Sequence, residues 1–314
     1  LGSLQANGQI YLINPNGIMV GAGAQINCGS FIASTLDVAN ADFMAGKDLH
    51  LVGDSLAGIQ NLGSINAIGG DVFLIAHKVE NLGNISAPDG VVGLAAGNEI
   101  LLAQAGNERL AVRVSSEQLA VSSGDGVKNV GLIEGAQAAL KASGNIYMFA
   151  INNSGVVREN GAATKDGRVL LTASGGLVKN TGELVAQASL PVTDPTQPGT
   201  AVPPNGGEVR IEARSILSEG TIDVSGTSGG AALLKAEYID HSGEITADGS
   251  VGNGGSIDVE ASTRLLVTTA GKFSARSTGS PQADSGSGGN ITLSSGGGPM
   301  IMSGSADVSA VRPR

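Results

Sequence analysis

The sequence predicts an all-β protein, a right-handed parallel β-helix, because a strand motif and a corner motif both recur along it. The strand motif is glycine followed by x-h-x-h-x-A, where h is apolar. Strands that return at intervals of 20 residues (Gly70 to Gly90) to 25 residues (Gly230 to Gly255) leave no room for a crossover helix. The eight segments that fit or nearly fit are GDVFLIA (Gly70–Ala76), GVVGLAA (Gly90–Ala96), GNIYMFA (Gly144–Ala150), GRVLLTA (Gly167–Ala173), GEVRIEA (Gly207–Ala213), GAALLKA (Gly230–Ala236), GSIDVEA (Gly255–Ala261) and GNITLSS (Gly289–Ser295).

The corner motif is N-x-G-x-h. Glycine supplies positive φ at a tight corner, and asparagine tolerates such turns while bonding nearby backbone. Identical asparagines in stacked coils can also bond one another as a ladder. We therefore predict a structural ladder through Asn61, Asn81, Asn129, Asn153 and Asn180, after which the motif changes to Ser218 and then His241.

Composition agrees with narrow coils. Gly accounts for 49 of 314 residues, aromatic residues for 3%, and Trp is absent. Alternation along each strand predicts an inward column at positions 72, 92, 146, 169, 209, 232, 257 and 291. We expect one continuous rod from near Ala6 to near Val308 with almost no α-helix, its handedness set by the crossover preference.

Two segments depart from the coil pattern and divide the rod. Residues 188–206 contain five of the ten prolines. Because proline removes a donor from a strand ladder, this segment is predicted to project as a loop. The coils of residues 51–187 then precede it, and further coils follow over residues 207–314. Within the first set, about 104–126, two alternating runs (RLAVRV and EQLAV) predict an extra-helical hairpin.

Outward strand positions suggest what this hairpin covers. An apolar outer face is predicted at Phe73, Tyr147, Phe149 and Leu170, and soluble proteins usually cover such a patch. In the C-terminal half one corresponding column is Arg210, Leu233 and Asp258, and the other, Glu212, Lys235 and Glu260, alternates in sign as exposed neighbours should. That half is therefore expected to face water. The alternative is that the apolar face is a contact between molecules.

The N-terminal residues carry a family resemblance. The segments ANGQIYLINPNGI (Ala6–Ile18), GAGAQI (Gly21–Ile26), FIASTLDV (Phe31–Val38) and DFMAG (Asp42–Gly46) resemble the secretion domain of filamentous haemagglutinin-like exoproteins, which are the passengers of two-partner secretion in Gram-negative bacteria. The resemblance implies that residues 1–50 are the C-terminal part of such a domain, continuous with the rod. It also implies an outer-membrane transporter as partner and a secreted or cell-surface location. More sequence precedes this segment in the family, so we expect the chain to be a fragment or a processed form.

In that family the Asn-Pro-Asn segment is linked to recognition by the transporter. Carried over to this sequence, the secretion motif is Asn14, Pro15, Asn16 and Gly17. These residue types are also those of an ordinary β-turn. The sequence leaves open whether the turn serves recognition, structure or both.

The sequence carries no metalloprotease, nucleotide-binding or nucleophile motif, and its three histidines are scattered. A net charge of −10 disfavours nucleic acid, and no apolar run is long enough to predict membrane insertion. We therefore predict a non-catalytic adhesin or scaffold without cofactor or metal, whose further partners are host or neighbouring-cell surfaces and glycans. The alternatives are a filament subunit stacking head to tail and, in third place, a polysaccharide lyase or hydrolase using Asp240 with His241, or Asp258 with Arg210.

Overall fold

A computed structural model describes residues 2–103, 109–112, 124–143, 147–159, 167–188, 204–279 and 286–310. Within them there is one short helix, α1 (Asn40–Met44), which is too short to cross a membrane. In chain order the strands are β1 Ser3–Gln5, β2 Gln9–Ile13, β3 Ile18–Val20, β4 Gln25–Cys28, β5 Ser30–Ser34, β6 Asp37–Val38, β7 Leu49–Val52, β8 Gly58–Asn61, β9 Ser64–Ala67, β10 Val72–Ala76, β11 Lys78–Asn81, β12 Asn84–Ala96, β13 Glu99–Leu102, β14 Leu110–Val112, β15 Val127–Asn129, β16 Leu132–Ser143, β17 Ile151–Asn153, β18 Val156–Glu159, β19 Arg168–Asn180, β20 Glu183–Ala186, β21 Glu208–Ser218, β22 Thr221–Asp223, β23 Ala231–His241, β24 Glu244–Thr246, β25 Ser256–Val267, β26 Lys272–Ser274, β27 Asn290–Ser295, β28 Met300–Met302 and β29 Ser305–Asp307.

The predicted parallel β-helix is confirmed. Most of the described strands join one wound sheet whose coil-to-coil pairings are parallel. One coil consists of β8, β9 and β10, and the next begins with β11, which pairs with β8 so that Asn61 lies opposite Asn81. We call the face that contains β10 the first face, that of β8 and β11 the second, and that of β9 the third.

The rod core follows the alternation in the sequence. On the first face Val72 pairs with Val92, and farther along Val169 pairs with Val209, which pairs with Ala232. Val209 and Ile257 are both 0% exposed, as the predicted inward column requires. Burial of apolar side chains stabilises the rod by about 25 cal/mol for each Å² removed from water.

One repeat was assigned wrongly. The segment Gly144–Ala150 does not continue the first face, because Ala138 of β16 pairs with Val92 on one side and with Val169 on the other. Ala136 stands where the other coils have the motif glycine, so a pattern that begins with glycine misses this coil. Position 146 of the predicted column lies outside the described residues.

A second, antiparallel sheet lies outside the rod. Its strands are β14, β13, β7 and β6 in spatial order, and we call it the extra-helical sheet. Its hairpin joins β13 to β14, so RLAVRV pairs through β14 with a strand that precedes residue 104. The second run of the predicted hairpin, EQLAV, lies with residues 113–123 outside the described part, so its pairing stays a prediction. The prediction missed β6 and β7, because residues 37–52 had been assigned to the rod.

The two ends of the proline-rich segment meet at the rod. Gln187 forms an antiparallel bridge with Gly206, and the Ala188 N–H donates to the Asn205 carbonyl at 2.8 Å. The chain therefore leaves and rejoins the rod at one point. Residues 189–203 lie outside the described part, so their projection as a loop stays a prediction.

Candidate functional site

The four residues between β2 and β3 form a tight turn. The Gly17 N–H donates to the Asn14 carbonyl at 3.1 Å, and the Asn16 N–H donates to Asn14 Oδ1 at 3.1 Å. Gly17 has a φ of 104°, which favours glycine. Asn14 and Gly17 therefore shape the turn, whereas Pro15 and Asn16 are exposed on it.

The turn is held by the segment that connects the extra-helical sheet to the rod. Ser55 Oγ donates to the Pro15 carbonyl at 2.5 Å and accepts the Ala57 N–H at 3.2 Å. Thr35 Oγ1 donates to the Ala57 carbonyl at 3.4 Å. The sequence did not predict the role of Ser55, because it is 40 residues from Pro15 and carries no repeat signal.

A groove of about 800 Å³ opens beside the turn. The exposed side chains of Met19 and Met148 line it. Glu80 in the groove accepts from Gln60 Nε2 and from Lys128 Nζ, each at 2.7 Å. Burial alone would raise the pKa of Glu80, but these two hydrogen bonds and the Lys128 charge outweigh it and lower the pKa. The turn thus borders a groove that combines thioether surface with a paired carboxylate.

The predicted corner residues form a continuous chain of hydrogen bonds inside the rod. The side-chain amide Nδ2 of each asparagine donates to Oδ1 of the asparagine in the next coil at 2.8 Å. All of the ladder residues are fully buried. Each bond satisfies one donor and one acceptor that would otherwise be costly to bury. The ladder comprises Asn61, Asn81, Asn129, Asn153 and Asn180.

Beyond the ladder, the same corner position is occupied by Ser218 and His241. His241 Nδ1 lies 3.2 Å from Ser218 Oγ, and its ring stacks on Phe273 with centroids 4.7 Å apart. Burial lowers the pKa of His241 to about 4, although backbone hydrogen bonds oppose the shift. The imidazole is therefore neutral inside the rod over most of the acidic range.

Because His241 is buried in its neutral form, we expect it to destabilise the folded chain in acid. Between about pH 6.5 and pH 4 the unfolded chain binds a proton at His241 while the folded rod does not, so stability falls as pH falls through that window. The expected loss is up to about 3 kcal/mol. Chemical denaturation at several pH values should show that the stability of the wild-type chain, relative to that of His241→Asn, falls as the pH falls from about 6.5 to about 4. An unchanged dependence would contradict the prediction.

The apolar outer face is buried beneath the extra-helical sheet, but its composition differs from the prediction. Phe73 is 0% exposed and shares its outward column with Leu170, which is 5% exposed. The cluster between the rod and the extra-helical sheet comprises Ile32, Leu36, Leu49, Leu51, Phe73, Ile75, Val91, Ala95, Ile100, Leu102 and Leu110. Leu110 of β14 is 1% exposed within this cluster.

The other two residues of the predicted outer face lie elsewhere. Tyr147 belongs to the rod core, and its hydroxyl donates to the His77 carbonyl at 2.6 Å. Phe149 is half-buried, with Lys179 Nζ 5.7 Å from its ring centroid. Both were misplaced because the segment Gly144–Ala150 was aligned with the first face.

An ion pair connects the extra-helical sheet to the rod. Arg109 pairs with Asp71, and its guanidinium lies 5.1 Å from the Phe73 ring centroid. Asp71 also accepts the Val91 N–H at 2.8 Å. Arg109 therefore joins the charged and the apolar parts of this contact.

The C-terminal half of the first face carries charged side chains, as predicted. Lys235 and Glu260 of consecutive coils form an ion pair at 3.2 Å, and both side chains are about half exposed. Arg210 pairs with Glu212 on its own strand at 2.5 Å. Such exposed pairs contribute little individually. Among the described residues, the cluster beneath the extra-helical sheet includes first-face residues only from the N-terminal half.

The two residue pairs considered for catalysis are each separated in the structure. Asp240 points outward and binds Arg264 at 2.7 and 2.9 Å, whereas the adjacent His241 points into the core. Arg210 and Asp258 share a column but have Leu233 between them. Among the described residues, no group of three or more His, Cys, Asp or Glu side chains is arranged to hold a metal ion.

A β-helix with an extra-helical sheet over one half of a face defines the structural class. The model of the TPS secretion domain family matches residues 1–186, and the chain belongs to this family. The match extends past residue 50 through the coils up to the proline-rich segment. A solved structure, the secretion domain of HMW1 from Haemophilus influenzae, is similar with a TM-score of 0.66 and 23% sequence identity, covering 96% of this chain and 80% of that chain. No curated protein matches the sequence.

Membership confirms the resemblance seen in the N-terminal segments. The chain carries the secretion domain of a two-partner exoprotein, which is exported through an outer-membrane transporter and is secreted or displayed at the cell surface of Gram-negative bacteria.

Proposed function

We propose that the chain is the export-directing part of a non-catalytic adhesin or scaffold, and that the turn at Asn14–Gly17 contacts the outer-membrane transporter. The observation that carries this proposal is that different residues of the turn form its internal hydrogen bonds and its exposed surface. Asn14 and Gly17 make its internal hydrogen bonds, while the side chains of Pro15 and Asn16 are exposed. A turn with only a structural role has no need of an exposed carboxamide at Asn16.

The rest of the rod supports a display function. On its C-terminal half the outward cations Arg210, Lys235 and Arg264 are each paired with a carboxylate. Polysaccharide-cleaving sites usually place two carboxyl groups across the scissile bond. Asp240 is bound by Arg264, and in the described part of the chain neither Asp240 nor Asp258 lies opposite a carboxyl group on an adjacent coil. Glycan binding and end-to-end self-association stay predictions.

Export with the partner transporter tests the role of the turn. We expect Asn16→Ala to lower the amount of exported protein severalfold and to leave the unfolding midpoint of the purified chain unchanged. Asn84→Ala is the matched control, because it removes an exposed asparagine side chain from another corner of the rod. If Asn16→Ala and Asn84→Ala are exported equally well, the Asn16 side chain is not part of the contact.

A separate assay tests the absence of catalysis. The purified chain, incubated with pectin, alginate and glycosaminoglycans, should release no new chain ends. Turnover that disappears in Asp240→Ala or Asp258→Ala would support the lyase alternative instead.

A further inference from the structure

Glu159 is a carboxyl group in the interior of the rod. It ends β18 on the third face, pairing with Gly135 of the preceding coil and with Ala186 of the following one. It is 0% exposed. Its neighbours in this inward column, Gly135 and Ala186, are small, so the interior has room for the side chain.

Neither carboxyl oxygen has a hydrogen-bond partner in the described part of the chain. A Cβ atom at Gly135 would lie 3.1 Å from Glu159 Oε2, so glycine at that position leaves space for the carboxyl group. An ionised carboxylate without a partner is very costly to bury. The group is therefore accommodated in its neutral form.

The surrounding charges do not compensate the carboxylate. Arg158, next to it on β18, points outward and lies 3.6 Å from Glu134 of β16. Burial raises the pKa of Glu159 well above its usual range, and the negative charge of Glu134 raises it further. The other charged groups on the adjacent strands occupy outward positions: Lys141 on β16, Arg168 and Lys179 on β19, and Glu183 on β20.

We propose that Glu159 couples folding of the β-helix to the uptake of one proton, so that its contribution to the stability of the rod is larger in mildly acidic than in neutral surroundings. The folded chain holds the proton, whereas the unfolded chain releases it above the ordinary carboxyl pKa of about 4.3. Above that pH, the folding equilibrium constant falls by up to about tenfold for each pH unit, until the folded-state pKa is reached. The sign is opposite to that of His241, whose burial favours the deprotonated state.

Chemical denaturation of three chains between about pH 5 and about pH 8 tests the proposal. Over this range the glutamate of the unfolded chain is mostly ionised, because its ordinary pKa is about 4.3. Glu159→Gln has the shape of the neutral side chain and should fold. We expect the ratio of wild-type to variant folding constants to fall by at least about tenfold across this range. Glu183→Gln, which changes an outward carboxyl on the adjacent β20, should keep the wild-type dependence. Because the comparison is a ratio, the contribution of His241 cancels.

Infrared spectroscopy of the folded chain supplies a second readout. At about pH 6, where ordinary carboxyl groups are ionised, the wild-type chain should show the carbonyl stretch of a protonated carboxyl group, and Glu159→Gln should lack it. A wild-type chain without this band, or a constant ratio of folding constants across the pH range, would overturn the proposal.

Discussion

Replacing Asn129 with alanine should lower the free energy of unfolding by roughly 3 kcal/mol or more. Asn129 is at the centre of the ladder, donating to Asn153 and accepting from Asn81. The substitution leaves a buried amide donor on Asn81 and a buried oxygen on Asn153 without their partners, and each such loss costs about 1–3 kcal/mol. Urea denaturation followed by circular dichroism measures the change.

The adjacent coil offers a matched control for this substitution. Asn152 precedes the ladder residue Asn153, but its side chain points outward and donates to Asp125 at 2.8 Å. Asn152→Ala should cost less than about 1 kcal/mol, because water replaces the partner of an accessible group. Equal losses for Asn129→Ala and Asn152→Ala would show that the ladder does not stabilise the rod.

Replacing Leu110 with glutamate should detach the extra-helical sheet while the rod stays folded. Leu110 is 1% exposed in the cluster with Phe73 and Ile100, and a charge placed there has no partner. The expected cost of several kcal/mol follows from burying an unpaired carboxylate. Release of the sheet exposes the apolar first face, so binding of a hydrophobic dye should increase severalfold at nearly unchanged β-sheet content.

Ala111→Glu is the control for the detachment experiment. Ala111 is the next residue on β14, and it is exposed. This variant should bind no more dye than the wild-type chain. If Leu110→Glu also leaves dye binding and solubility unchanged, the extra-helical sheet is not what keeps the apolar face from solvent.

Much of the fold was predictable because a parallel β-helix repeats its physical constraints in every coil. Alternation at Val209 and Ile257 predicted their burial correctly, and the N-x-G corners predicted the positions of stacked asparagines. The error at Gly144–Ala150 arose where one coil has Ala136 in place of glycine. A pattern defined by glycine then selects the next glycine-led segment instead.

The candidate site was predictable only as far as local turn chemistry extends. The Asn14–Gly17 turn can be recognised from four consecutive residues, since proline, asparagine and glycine set its conformation. The attachment of this turn through Ser55 cannot be recognised from the sequence, because that contact depends on how residues 37–52 pack outside the rod. The buried position of Glu159 was also missed, since a single acidic residue at a strand end has no counterpart in the other coils.

Because Gln187 and Gly206 pair with each other, this point of the rod is a suitable insertion site for foreign sequence. The strands β20 and β22 of neighbouring coils pair directly, so the stack of coils continues past this point without using residues 189–203. The entropy cost of closing a longer connection grows only slowly with its length. An epitope or a small domain with closely spaced ends, inserted between Ala188 and Asn205, would thus be carried on the outside of the rod without changing the register of any coil.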